Sequence, residues 1–241
     1  MLTDVQIERY SRQIILPQIG GRGQQRILSG SVAVVASSET GSAAASYLAA
    51  AGVGQLGIVE ATRTHGWARA LAAELAALNP DCRVQLVREG LTADAAAQIA
   101  GTHDVVIVGN ASLDTSSLLN TACVALKTPL VWASTTGAMG SVMTCAGHRS
   151  DAPCYQCLYV QEPAAASGAQ QPSALERVTA AFVGALQATE TLTLLLHLGA
   201  SSVGQLLSYD ALNATVHQAA VGKDPACGTC GPGARGQAVT G

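Results

Sequence analysis

Residues Ser31 to Gly54 read S-V-A-V-V-A-S-S-E-T-G-S-A-A-A-S-Y-L-A-A-A-G-V-G. Val32 to Val35 is the short apolar run that a buried parallel strand requires, and Gly41 to Ala51 is an alanine-rich stretch of high helix propensity that stops at Gly52. A strand, a tight loop and a helix therefore follow one another. In nucleotide-binding α/β proteins such a loop is rich in glycine, because a bare backbone lets a phosphate approach the helix N-terminus. Here the loop runs Ala36, Ser37, Ser38, Glu39, Thr40 and keeps a single glycine, Gly41. The turn has the architecture of a nucleotide site without its glycine chemistry.

Working outward, Leu56 to Glu60 reads as a second strand. Its last residue is an acid, placed where dinucleotide folds set a ribose-binding carboxylate or where a strand end meets solvent. Ala68 to Leu78 and Ser116 to Ala125 have helical spacing. Arg83 to Val87, Asp104 to Val108, Pro129 to Ala133 and Met139 to Ala146 read as strands. This alternation predicts a Rossmann-like, doubly wound, mostly parallel sheet. Gln205 to Tyr209 and Ala214 to Ala219 add an antiparallel C-terminal extension. Upstream, Thr3 to Leu16 reads as a helix capped at Thr3 or Asp4, with Gly20 and Gly21 separating it from a short second helix. Gln161 to Ser173 lacks apolar periodicity and reads as a mobile crossover loop. Ala174 to Leu198 is a long helix, too apolar all round to lie on a solvated surface, which predicts a dimer or a deep internal position. The expected organisation is one domain over 1–230 and a disordered glycine-rich tail over 231–241.

About half of the 241 residues are apolar, enough for a substantial core, and 13 basic against 16 acidic side chains leave a formal charge of −3. That balance supplies no basic face for nucleic acid or an anionic membrane. Met1 to Gln13 is polar and charged, unlike a signal peptide, and no apolar run reads as long enough to span a bilayer, so a cytoplasmic protein is expected.

The seven cysteines are an odd count that favours thiols or metal ligands over a disulfide framework. Cys154 and Cys157 lie in P-C-Y-Q-C-L-Y, and Cys227 and Cys230 in P-A-C-G-T-C-G-P. Two C-x-x-C knuckles supply four thiolates, which suits a closed, structural tetrahedral zinc site tying the C-terminal segment to the middle of the chain. Cys82, Cys123 and Cys145 sit in or beside apolar segments and read as inert buried thiols. The five histidines are scattered without metal-ligand spacing.

The chain resembles the ThiF/MoeB/HesA family of ubiquitin-activating-like adenylyltransferases over nearly its whole length. The resemblance runs from R-Y-S-R-Q-I-I-L-P-Q-I-G through Y-L-A-A-A-G-V-G to P-C-Y-Q-C-L-Y, Y-D-A-L at Tyr209 to Leu212, and D-P-A-C-G-T-C-G. It implies an ATP-dependent enzyme that adenylates the C-terminal Gly-Gly of a ubiquitin-like sulfur carrier, working as a homodimer with structural zinc. It also assigns roles residue by residue. Arg12 matches the arginine lent across the dimer, Gly41 the last glycine of the phosphate loop, and Glu60 the ribose-binding acid. The phosphate-binding asparagine and arginine fall in Ala61 to Trp67, which matches neither. The phosphate-binding lysine falls on Trp67 and the magnesium-binding aspartate on Ala111, with Asp114 three positions late.

Adenylyl transfer rests on positioning and on cations that stabilise developing charge, so these replacements argue against magnesium and ATP as cofactors. The leading reading is a pseudoenzyme or partner-binding subunit. It would pair as a homodimer or heterodimer with an active paralogue, or hold a ubiquitin-like sulfur-carrier protein. An active adenylyltransferase of a sulfur-carrier C-terminus, serving thiamin, molybdopterin or related sulfur transfer, and an enzyme with an altered ligand stay open as alternatives.

Overall fold

The computed structural model describes residues 1–36, 39–60, 66–87, 91–161, 173–198 and 202–234. Ser37, Ser38, the segment 61–65, nearly all of the expected crossover loop and the last seven residues lie outside them.

The chain opens with α1 (Asp4–Arg9), capped by Thr3 in a reciprocal box with Gln6. It continues as α2 (Ser11–Ile14) and α3 (Gly20–Ser29). A turn over 15–19 separates α2 from α3, which Gly20 and Gly21 open, and the helix expected over Thr3 to Leu16 is itself broken at Tyr10, because this side chain turns inward. It is buried, and its hydroxyl lies 2.9 Å from Asp81 Oδ2 and 2.9 Å from Asn79 Nδ2. Arg9 pairs with the same aspartate.

Then follow β1 (Ser31–Ala36), α4 (Glu39–Ala51), β2 (Gln55–Glu60), α5 (Trp67–Leu78), β3 (Arg83–Val87), α6 (Ala93–Thr102), β4 (Val105–Gly109) and α7 (Leu113–Leu126). Next come β5 (Leu130–Thr136), β6 (Met139–Cys145), α8 (Tyr155–Gln161), α9 (Ala174–Leu196), β7 (Gln205–Asp210) and β8 (Thr215–Ala220). Helices α6 and α8 were not expected. The first is capped by Thr92, and the second starts inside the first knuckle. Gly52, at φ +90°, ends α4, and a Cβ there would come within 2.7 Å of the Tyr10 ring, so this glycine both stops the helix and seats the tyrosine.

The sheet order is β3-β2-β1-β4-β5-β6-β7-β8. The first five strands are parallel and the last three join antiparallel. Strands β1 and β4 are buried on both faces, which is why they read as unbroken apolar runs. Val32, Val34, Ile58 and Ile107 point into the layer holding α4, α5 and α9. Ala33, Val35, Val106 and Val108 point into the layer holding α6 and α7.

Helix α9 packs its Val183, Gly184 and Ala188 side inward while leaving Val178 67% exposed. By length and composition this helix is long and apolar enough to cross a bilayer, which corrects the expectation that no run is. Its buried face is that of a helix packed within the fold. Gln187, on that face, donates to the carbonyls of Val108 and Val131 at 3.0 and 2.9 Å, stitching α9 to β4 and β5. The strand order reverses between β1 and β4, which opens a crevice at their carboxyl ends, where α/β sheets bind ligands.

Candidate functional site

At that crevice α4 begins with Glu39, directly after the undescribed pair Ser37 and Ser38. Gly41 lies against the strand: a Cβ there would collide with the Ala36 Cβ and meet Trp67 Cη2 at 3.5 Å. Close packing of helix on strand alone requires this glycine. Trp67 opens α5, and its indole Nε1 donates to Ser42 Oγ at 2.9 Å. The position matched to a phosphate-binding lysine thus does face the start of α4, and it presents an indole.

The carboxylates nearby are engaged as well. Glu39 Oε1 accepts from Arg177 Nη1 at 2.8 Å, an exposed ion pair between the first turns of α4 and α9. Glu60 Oε1 accepts from the backbone N–H of Ala68 at 3.3 Å, so the expected ribose acid caps the first turn of α5. Asn110, at φ +48°, exchanges two hydrogen bonds of 2.7 Å with Thr135 beyond the end of β4. Ala111 offers no ligand atom, and Asp114 stands exposed in the first turn of α7.

Arg12 is exposed on α2 and makes no ion pair among the described residues. Tyr10, two residues before it, packs at Gly52, the far end of a 13-residue helix from Gly41. At a rise of about 1.5 Å per residue Gly41 and Gly52 are about 16 Å apart. One chain therefore brings Gly41 and Glu60 to the crevice and leaves Arg12 at the opposite end of α4.

The cysteines of the two knuckles do converge. Their four sulfurs lie within 4.8 Å of one another. Cys154 to Cys157 is 4.0 Å, Cys154 to Cys227 3.7 Å and Cys157 to Cys230 3.5 Å. A regular tetrahedron of sulfurs about 2.3 Å from a central ion has edges of about 3.8 Å, whereas a disulfide needs about 2.05 Å. The cluster fits a metal and fits no disulfide.

Donors surround the sulfurs. Asn120 Nδ2 lies 3.5 Å from Cys154 Sγ while its Oδ1 accepts from the Tyr155 N–H at 2.9 Å, and the Asp224 N–H lies 3.5 Å from Cys157 Sγ. Burial opposes ionisation of Cys227, but the backbone N–H groups of Cys230 and Thr229 outweigh it and hold that thiol below its ordinary range. Burial pushes Cys154 up to about 11 and also raises Cys230, so a cation would displace protons from this cluster. Lys223 Nζ donates to the carbonyls of Gly147 and Arg149 at 2.8 and 2.6 Å, joining the strand exit of the second knuckle to the turn before the first. Gly231 donates to the Cys227 carbonyl at 2.9 Å and Ala234 to that of Gly231 at 3.0 Å, so a hydrogen-bonded turn follows the second knuckle. Away from the cluster, burial pushes Cys82 up to about 11, Cys123 up to about 12 and Cys145 well above its usual value, as inert thiols require.

The contact between Glu39 and Arg177 spans 138 residues, and no local pattern announces it. Asn120 is likewise silent in sequence, an amide on a helix with nothing to mark it as a partner of cysteine.

Comparison with known proteins agrees with this geometry. A model of the ThiF family matches residues 10–63 and 65–229. The sulfur carrier protein adenylyltransferase of Thermus thermophilus is 36% identical, the alignment covering 95% of this chain and 92% of the relative. The adenylyltransferase and sulfurtransferase MOCS3 of Drosophila willistoni is also 36% identical over 87% of this chain, which spans half of that relative's length. Among solved structures, E. coli MccB with ATP superposes with a TM-score of 0.76 at 15% identity, over 92% of this chain and 73% of MccB. With the strand order, the paired knuckles and the family match in agreement over nearly the whole length, the chain belongs to the ThiF family.

Proposed function

We propose that this chain serves the activation of a ubiquitin-like sulfur-carrier protein as a subunit that holds the carrier or an active paralogue and does not itself adenylate. The observation that carries this reading is the crowded start of α4. An indole stands at the position matched to a phosphate-binding lysine, and Glu39 is held beside the helix N-terminus by Arg177. A highly charged triphosphate needs an excess of cations there, and the Glu39–Arg177 pair supplies no net positive charge. Thr40 Oγ1 and Gln187 Oε1 are buried near Gly109 without a hydrogen-bond partner among the described residues, so this end of the fold retains polar groups able to take a small neutral ligand or water.

A second reading, that the chain is itself an adenylyltransferase of a sulfur-carrier C-terminus, is favoured by the names of its relatives at 36% identity. Under it, magnesium and ATP bind through residues other than those matched here. Calorimetry on the full chain separates the two. The first reading expects a Gly-Gly-ending carrier to bind with an affinity indifferent to magnesium-ATP. Tight nucleotide binding, or a carrier affinity that rises with it, supports the second.

We further propose that the four cysteines hold one structural zinc ion, that the chain acts in the cytoplasm, and that it works as a homodimer or as a heterodimer with an active paralogue. In such a pair Arg12, exposed at the far end of α4, would be offered to a partner's crevice. The sulfur separations and the surrounding N–H donors support the zinc assignment. Elemental analysis of freshly purified protein should give about one equivalent per chain, and less than about half an equivalent contradicts it.

A further inference from the structure

The crevice described above lies at the carboxyl ends of the parallel strands. At the opposite end of the sheet a cleft of about 460 Å³ opens between α3, the last turn of α9 and the turn that follows β6. That volume lies inside the range of roughly 300–1,000 Å³ typical of small-molecule sites, and the anatomy matches too: an apolar floor with a few polar groups converging on it. Pro129, Leu194 and Leu195 supply the floor, while Arg26, His148 and Arg149 stand over it.

The charges here are unbalanced. Arg26 donates to the Leu196 carbonyl at 3.0 Å and forms no ion pair among the described residues. Arg149 meets Asp151 in a pair that is half open to solvent, which screens it. His148 Nδ1 is buried and has no hydrogen-bond partner among the described residues. Burial, and after it the positive charges of Arg149, Lys223 and Lys127, hold this imidazole below its ordinary pKa, so several cations act on one point of the wall. The lining also holds one carboxylate, Asp104, whose Oδ2 accepts from the N–H and the hydroxyl of Ser31, each at 2.8 Å, bonds that orient this group and leave its charge in place. Arg26 and Arg149 therefore set two guanidiniums against one carboxylate on the lining, beside an orphaned polar atom and an apolar floor.

We infer that this cleft is a second ligand site, which takes a small organic oxyanion, a carboxylate or phosphate monoester on an apolar body. The charge sits between Arg26 and Arg149, a polar atom reaches His148 Nδ1, and the apolar body lies on Leu194, Leu195 and Pro129. The site is independent of the reading of the nucleotide crevice, from which the depth of the sheet separates it.

Titration of the full chain with phenyl phosphate, benzoate and uncharged phenol tests this. At least one of the two anions should bind saturably, with preference for one of them assigning the anionic group, and phenol should bind at least tenfold more weakly. Arg149→Gln should weaken the anion about threefold, and Arg26→Gln with Arg149→Gln about tenfold or more, whereas Arg26→Lys should retain most of the affinity. Because Arg26 also supports the last turn of α9, Arg149→Gln alone keeps the test valid if the double variant unfolds. Arg69→Gln, which removes an exposed arginine of α5 outside this lining, should leave the affinity unchanged. Absence of saturable binding at millimolar anion, equal binding of phenol, indifference to the Arg26 and Arg149 substitutions, or an equal response to Arg69→Gln would each overturn the assignment.

Discussion

The four cysteines and the turn into α4 both carry residues that define the family, and they stand in opposite conditions. At the knuckles every ligand atom is present, the separations suit a tetrahedral ion, and an amide and backbone N–H groups point at the sulfurs. At the turn Gly41 is the one glycine between Ala36 and Gly41, and the start of α4 meets an indole and a paired glutamate. Gly41 stands where a Cβ would strike Ala36, so it serves the packing of helix on strand. Under the proposed reading, positions the fold depends on are kept and those that would serve only a nucleotide have changed.

The largest effect should come from the cluster. Cys157→Ala removes one of four ligands and should abolish stoichiometric metal while strongly destabilising the C-terminal half, read by elemental analysis and by the unfolding midpoint. A variant that keeps its metal and its midpoint would remove the contrast between the two regions.

A pH scan of the metal-free protein sharpens it from another side. Cys123 is held up to about 12 by burial, so above the ordinary thiol range the unfolded chain loses a proton that the folded chain keeps. Stability is therefore fully present below about pH 8.5 and should fall by about 1.4 kcal/mol per pH unit from this thiol as pH rises toward 12. Cys123→Ala should flatten the slope over that window, and an unchanged slope would show that this thiol is not buried as described.

At the turn, Trp67→Ala removes a half-buried indole and should cost about 2 kcal/mol, less than the 3–5 kcal/mol of a fully buried one, read in urea unfolding. Restoring glycine at Ala36, Ser38 and Glu39 together should, under the proposed reading, raise nucleotide affinity modestly and give no adenylation, because Trp67 and Ala111 offer neither a cation nor a metal ligand. The smallest effect is expected from Arg177→Ala. Its pair with Glu39 is exposed on both sides, so the stability change should stay under about 1 kcal/mol and shrink with salt. A larger loss would make that pair a structural lock.

Much of the fold was legible because its signals are local. The unbroken apolar runs of β1 and β4 mark strands covered on both faces, Arg83–Val87 was read at its true bounds, and C-x-x-C spacing marks a metal site whatever lies between the knuckles. Helix α6 is hard to read in sequence because its alanine-rich stretch lacks a strong apolar stripe, and α8 because its seven residues include a knuckle cysteine and are too few to set a helical period. The break at Tyr10 could not be read from neighbours, since it depends on Asn79 and Asp81 some seventy residues away. The same holds at the crevice. Counting along the chain put Trp67 opposite α4, but its bond to Ser42, the cap that Glu60 gives to α5 and the pairing of Glu39 with Arg177 are tertiary facts.

Pyrophosphate exchange into ATP tests the central claim most directly. The protein is given magnesium-ATP and a carrier ending in Gly-Gly, and label transfer from pyrophosphate is followed. With the start of α4 occupied by Trp67 and Glu39, no exchange above background should occur, with or without the carrier. Carrier-dependent exchange by the unmodified chain would contradict the account and require that the catalytic residues lie elsewhere in the crevice.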